Sequence, residues 1–333
     1  MTKFKTFLLK SIPTITLLAL TCSNLSAEKI EKNNTTIELI TLGVAGGPLP
    51  RKNASQTSSL LMINDKKYLI DAGDNVTRRI VQADLDFQDI DTIFITHPHS
   101  DHTLGLATLL ISQWEYQRRE AVHIYGPLGI KQIAKGIFEY AKANEEIRWA
   151  EGKQTPLQNH IHVHEKAPGH IFQDENVTVF AVQNSHFHFT PNTLPYGKYQ
   201  SYSYKFVTPT QSIFFTGDTG PSVEMEALLQ GSDILVSEVI SIPDTIDAFK
   251  KSGIWQKKTP AEQQGMIQHF EAEHLTPEHI GIMATKAGVK TVVLHHFTPT
   301  IHENDDYERY AVRLKKHFSG QVLIAKDLKK FKF

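Results

Sequence analysis

Cysteine is almost absent: Cys22 is the only one in 333 residues. One thiol excludes a disulfide framework and a thiolate metal cluster. Net charge is also nearly absent, with 35 Lys+Arg against 36 Asp+Glu, or −1 at pH 7. That balance supplies no electrostatic footprint for nucleic acid or an anionic membrane. Beyond the N-terminal segment no apolar run approaches the ~20 residues that span a bilayer. There are no internal repeats and no low-complexity linker. With 40% hydrophobic and 21% charged residues, the chain has the makings of a globular core. Histidine is missing from the first 96 positions and then occurs 17 times.

Residues Met1 to Ala27 hold Lys3, Lys5 and Lys10 and no acid, then an apolar stretch around Ile15–Leu20. Leu25-Ser26-Ala27 offers a small-residue cleavage site. This is the layout of a secretory signal peptide, followed by one domain over 28–333. Cleavage would leave 32 basic against 36 acidic residues, or −4. The expectation is a periplasmic or secreted protein without a membrane span. The alternative, lipoprotein anchoring at Cys22, is opposed by the poor lipobox Ala19-Leu20-Thr21.

Along the rest of the chain, strand-like runs alternate with helical ones. Strands are expected at Ile37–Ile40, Ser59–Ile63 and Tyr68–Ile70, with Asn64-Asp65 as a hairpin turn. Others are Thr92–Thr96, Val177–Val182, Ser203–Val207, Ser212–Phe215, Ile234–Val236 and Thr291–Leu294. Apolar spacing predicts a helix over Leu104–Arg118, and Pro277 with Gly288 brackets another at Pro277–Ala287. Mixed elements without a domain break predict an α/β sandwich.

The strongest signal is His97-Pro98-His99-Ser100-Asp101-His102, directly after a predicted strand. Imidazole and carboxylate are good ligands for zinc and similar divalent ions. The pattern recurs: Val177–Val182 runs out into Ser185-His186-Phe187-His188. Ser212–Phe215 runs out into Gly217-Asp218, and Thr291–Leu294 into His295-His296. Several strands delivering ionisable residues at their C-terminal ends build a site at one sheet edge. His160, His162, His164 and His170 alternate in a polar stretch and read as an exposed strand.

His-x-His-x-Asp-His, then His, Gly-Asp and His, closely resembles the metallo-β-lactamase superfamily. Asp71, in Leu69-Ile70-Asp71-Ala72-Gly73, matches the first aspartate of that family. The resemblance covers about Leu39 to Phe297. It implies a four-layer αβ/βα sandwich and two divalent metal ions, zinc by default, with manganese or iron able to fill the same set. One ion would take His97, His99 and His186, the other Asp101, His102 and His296, with Asp218 bridging. His188 could replace His186, and His295 could replace His296. Early strand exit favours His186, and the following Phe297 favours His296.

Gly43–Pro48, Ser237-Glu238 and His274-Leu275-Thr276 are similar to the ribonuclease-Z-like and arylsulfatase-like branch. There a Glu–His pair shuttles a proton, which implies that Glu238 orients His274 and His274 protonates the leaving oxygen. His274, Glu238 and Asp101 are the catalytic candidates. Two ions sharing a water lower its pKa towards ~7, giving a metal-bound hydroxide as nucleophile. A general acid is most useful for poor leaving groups, which points to sulfate or phosphate esters: an arylsulfatase-like enzyme or a phosphodiesterase, cyclic nucleotides included. A lactonase, another carboxylic-ester hydrolase or a non-catalytic metal-binding protein are the alternatives. The Tyr-rich stretch Phe187–Tyr204, with Tyr196, Tyr199 and Tyr202, is expected to wall an aromatic leaving group. Phe249–Phe270, with Trp255, is expected to cap the pocket. Export and the lack of a basic arm argue for a small-molecule ester substrate and no nucleic-acid partner. Pairing as a homodimer is left open.

Overall fold

The computed structural model describes residues 35–118, 120–152, 155–299 and 307–333. Met1–Ala27 and Cys22 lie outside the described residues. The first sheet contains β1 (Ile37–Gly43), β2 (Ser58–Ile63), β3 (Lys66–Ile70), β4 (Thr92–Phe94), β5 (Val122–Gly126) and β6 (Ile161–Glu165). The second contains β7 (Gly169–Gln173), β8 (Thr178–Gln183), β9 (Tyr202–Val207), β10 (Ser212–Phe215), β11 (Ile234–Ile240), β12 (Thr291–Thr298) and β13 (Gln321–Ile324). β14 (Lys329–Lys332) returns to pair with β1, so the orders are β14-β1-β2-β3-β4-β5-β6 and β13-β12-β11-β10-β9-β8-β7.

Alternate side chains of each strand serve different layers. Leu39, Leu61, Tyr68 and Phe94 face the second sheet and pack with Val179, Tyr204, Phe206 and Phe215. Ile40, Leu60, Leu69 and Ile93 face outward onto α1 (Val76–Gln82), α2 (Ser100–Glu115) and α3 (Ile130–Ala150). Behind the second sheet lie α4 (Val223–Leu229), α7 (Pro277–Ala287) and α8 (Glu308–Leu314), while α5 (Ile242–Lys251) and α6 (Pro260–Glu273) precede α7 in the chain. This is the expected αβ/βα sandwich.

Three details depart from the sequence reading, and two of them shape the site. β4 stops at Phe94 rather than Thr96, because the Thr96 N–H leaves the ladder and donates to Asp71 Oδ1 at 2.7 Å. β12 does not end before its histidines but runs to Thr298, with His296 in the left-handed region at φ 47°. Opposite it the β11 register slips between Ser237 and Val239, so Glu238 faces two residues of β12. Such a bulge re-aims side chains. The histidines from His160 to His170 do not share one strand: His162 and His164 lie on β6, the edge of one sheet, and His170 on β7, the edge of the other.

Candidate metal centre

β4, β8, β10 and β12 all bring their C-terminal portions to one rim. The two sheets are tied there: Tyr202 N–H donates to Thr96 O at 2.9 Å and Tyr204 Oη to Ile95 O at 2.6 Å. α2 starts inside the histidine motif itself, with His99 at its N-cap and Asp101 in its first turn, where a carboxylate suits the helix dipole. A Cβ at Gly105 would run into the Gly73 carbonyl, so glycine lets α2 approach the Asp71 loop.

Two groups of donors form. His97, His99 and His186 make one, and Asp101, His102, Asp218 and His296 the other. In the first, His97 Nε2 and His186 Nε2 each lie 3.1 Å from His99 Nδ1. In the second, His296 Nε2 is 3.1 Å from Asp218 Oδ1 and 3.3 Å from Asp101 Oδ2, and His102 Nε2 is 3.3 Å from Asp218 Oδ1. Asp218 Oδ2 reaches back to 4.0 Å from His186 Nε2, so this carboxylate stands between the groups. His188 is exposed and turns to Glu273, 3.7 Å away, and His295 joins neither group.

The hydrogen-bond network fixes which nitrogens face inward. His102 Nδ1 lies 2.8 Å from Asp71 Oδ2 and must be protonated to bond a carboxylate, leaving Nε2 as a lone pair in the neutral ring. His186 Nδ1 likewise needs its proton for the Glu273 carbonyl at 3.2 Å. Thr96 Oγ1 can place its own proton on Asp71, 2.9 Å away, and so accept from His97 Nδ1 at 3.0 Å. Lone pairs therefore converge with carboxylates, and His102 Nε2 and Asp218 Oδ1 are buried with no hydrogen-bond partner. A divalent cation is the group that satisfies such a set. Burial first, and then the neighbouring imidazoles His102 and His186, press His97 well below the ordinary histidine range and favour the neutral, ligating form.

Beside these groups His274, the C-cap of α6, places Nδ1 2.9 Å from Glu238 Oε2. Glu238 is fully buried, and its Oε1 accepts the Thr219 N–H at 2.7 Å. Burial opposes charge on His274, but the Glu238 carboxylate outweighs it and the imidazole is pushed up to about 9. His274 comes close enough to His186 and Asp218 to form a third cluster with them.

The cavity over this centre has a volume of about 390 Å³. Phe249 of α5 and Phe270 of α6, stacked with centroids 6.1 Å apart, wall it together with Ile254; Trp255 is not among the lining residues. Behind His99 lies a second groove, walled by Phe187, Phe189 and Tyr199. Of the Tyr-rich stretch, Tyr199 lines this second groove and not the cavity over the donor groups, Tyr196 is exposed, and Tyr202 is buried in β9. Sequence reading missed Thr96, whose hydroxyl ties Asp71 to His97, and Arg51, which lines the cavity. A lone threonine or a lone arginine in a loop carries no spacing signal. A larger cavity, 660 Å³ near Trp114 and Arg148, contains none of these ligands.

Comparison with known proteins agrees with this architecture. The chain is 25% identical over 292 residues to Ribonuclease Z of Mycobacterium bovis, covering 87% of this chain and 96% of the relative. The metallo-β-lactamase fold protein YhfI of Bacillus subtilis superposes with a TM-score of 0.64 at 17% identity, over 90% of this chain and 100% of that one. The short form of human tRNase Z gives 0.61 at 21% identity, over 88% and 98%. These matches support a metal-dependent hydrolase of the metallo-β-lactamase superfamily, in its ribonuclease-Z-like branch. They also correct the expectation of no nucleic-acid partner, since relatives matched over nearly their whole length are ribonucleases. Overall charge balance was the wrong guide, because a metal centre supplies local positive charge that a residue count omits. The family model described as Anti-Pycsar protein Apyc1 matches residues 37–240, well over half of the chain, and the protein belongs to that family.

Proposed function

We propose that this protein is a dinuclear metal-dependent phosphodiesterase in which His274 is the general acid. The observation that carries the reading is the buried Glu238–His274 pair, 2.9 Å long, beside two donor groups with Asp218 standing between them. Ribonuclease Z relatives favour phosphodiesters over the sulfate esters and lactones that the same donor set could serve.

His97, His99 and His186 would hold one ion and Asp101, His102 and His296 the other, with Asp218 between them. Such ions lower the pKa of a bound water towards ~7 and neutralise charge in the transition state. The protein's own groups do the rest. Asp71 and Thr96 keep the ring protons of His102 and His97 outside, so their Nε2 lone pairs are left to point inward, where the ions would be held. Asp101 Oδ2 accepts the Gly47 N–H at 2.8 Å, which fixes the carboxylate that would help hold the second ion. Glu238 keeps Nδ1 of His274 protonated, so Nε2 can carry the proton given to the leaving oxygen. We also propose that Met1–Ala27 exports the chain, a reading that a reporter fused after Ala27 would test.

The test is hydrolysis by zinc-loaded protein of bis-p-nitrophenyl phosphate, p-nitrophenyl sulfate, an aromatic lactone and an RNA oligonucleotide. Diester turnover, with the bonds of the RNA included or not, is the expected result. Faster sulfate or lactone turnover would overturn the reading.

A further inference from the structure

The centre described above deals with the reacting atoms but leaves one cation unexplained. Arg51 is the only lysine or arginine among the described residues that line the cavity. Its Nε is buried without a hydrogen-bond partner, and no carboxylate lies within ion-pair distance of it among the described residues. Burial alone moves its pKa, downward, with no acid nearby to counter it. A half-buried guanidinium without an anion is costly to maintain, because desolvation is not offset by a partner.

Its loop is nevertheless firmly held. Ala45 N–H donates to Ser55 O at 2.9 Å, and Gly46 N–H to Phe297 O at 3.2 Å. Asp327 accepts from Val44 N–H at 3.1 Å and from Ser55 N–H at 2.7 Å, and it pairs with Arg79 at 2.9 Å. The Gly47 N–H that fixes Asp101 belongs to the same loop. Arg51 is thus carried by a segment bonded both to the donor groups and to the second sheet. The surrounding wall is apolar, with Leu49, Ala248, Phe249, Ile254 and Phe270. In such a lining one guanidinium selects for an anion.

We propose that Arg51 is a specificity-determining residue that binds a non-bridging oxygen of the substrate's phosphate. This rests on the phosphodiesterase reading and adds the source of preference for an anionic ester over a neutral one. A guanidinium presents a planar fork that matches phosphate oxygens, which an ammonium does not.

The experiment is calorimetric titration of zinc-loaded wild type, Arg51→Lys and Arg51→Gln with inorganic phosphate, with zinc counted on each sample. Loss of a charge-assisted hydrogen bond should weaken phosphate binding by about tenfold in Arg51→Gln and by less in Arg51→Lys. The zinc count should stay at the wild-type value. Unchanged phosphate affinity in Arg51→Gln would overturn the proposal. So would loss of zinc or of folding in that variant, since Arg51 would then be structural. Should wild-type protein hydrolyse no diester, the phosphodiesterase reading falls, while the phosphate titration still decides the role of Arg51.

Discussion

Nδ1–H of His274 donates to Oε2 of Glu238 across 2.9 Å, and this hydrogen bond sets how the pair behaves. His274→Ala removes the proton donor without removing a member of either principal donor group. Metal content should be unchanged while diester turnover falls by about 10²–10⁴-fold, the usual worth of a general acid. Metal counts and kcat on the same samples check this; loss of metal would make His274 a ligand instead. The pH profile separates the roles further. Burial lowers and Glu238 raises the His274 pKa, with a net rise to about 9. The acid form is therefore complete well below that value and lost as pH climbs through it. Glu238→Gln removes the raising charge, so the alkaline limb of kcat should move to lower pH. An unmoved limb would show that another group titrates there. At this scale the sequence was informative where residue type and spacing coincide. His97, His99, Asp101, His102, Asp218 and the histidine pair candidates were visible because the strand-end pattern repeats. The sequence left His186 and His188, and His295 and His296, open while favouring His186 and His296; the donor groups contain those two, and at His296 the backbone direction, φ 47°, is a feature that no pattern encodes.

Elements explain why those side chains converge. The strands were legible because apolar runs such as Ser212–Phe215 and Thr291–Leu294 are short, β-rich and bounded by turn residues. What was not legible is where each strand stops. β4 ends early because Asp71 captures the Thr96 amide, and β12 runs on because the slip opposite Glu238 absorbs an extra residue. Both are tertiary events. β13 and β14 have four residues each, too few for an alternation to register. β14 nevertheless matters, because Asp327, between β13 and β14, fastens the loop from Val44 to Ser55. Asp327→Ala leaves two backbone N–H groups and Arg79 without that acceptor. The expected cost is about 1–3 kcal/mol, measured as a shift in urea midpoint with an unchanged slope. Because Gly47 and Arg51 ride on the same loop, turnover should fall as well. Full stability with full activity would mean that the loop is held by Ala45 and Gly46 alone.

At the scale of the whole molecule, the donors span residues 97 to 296 and come from both sheets. No short segment could assemble the set by itself. Binding free energy at such a site is therefore largely available only to the folded chain, and it appears as folding stability. With free metal at 100 times its dissociation constant, one site adds about 2.7 kcal/mol. Removing metal should also expose a conflict that the ions suppress: inward lone pairs on His97, His102 and His186 beside the carboxylates of Asp101 and Asp218. The buried and unpartnered His102 Nε2 and Asp218 Oδ1 mark where that conflict is sharpest. Chelation should accordingly lower the melting temperature by roughly 5 °C or more, given about 2–4 °C per kcal/mol in domains somewhat smaller than this. Adding zinc back should restore it in a concentration-dependent way. Asp218→Ala, which removes the carboxylate between the two groups, should lose metal and activity together and melt near the chelated wild type. A melting temperature indifferent to chelation would mean that the histidine cluster is satisfied by its own hydrogen bonds, and the metal centre would have to be abandoned.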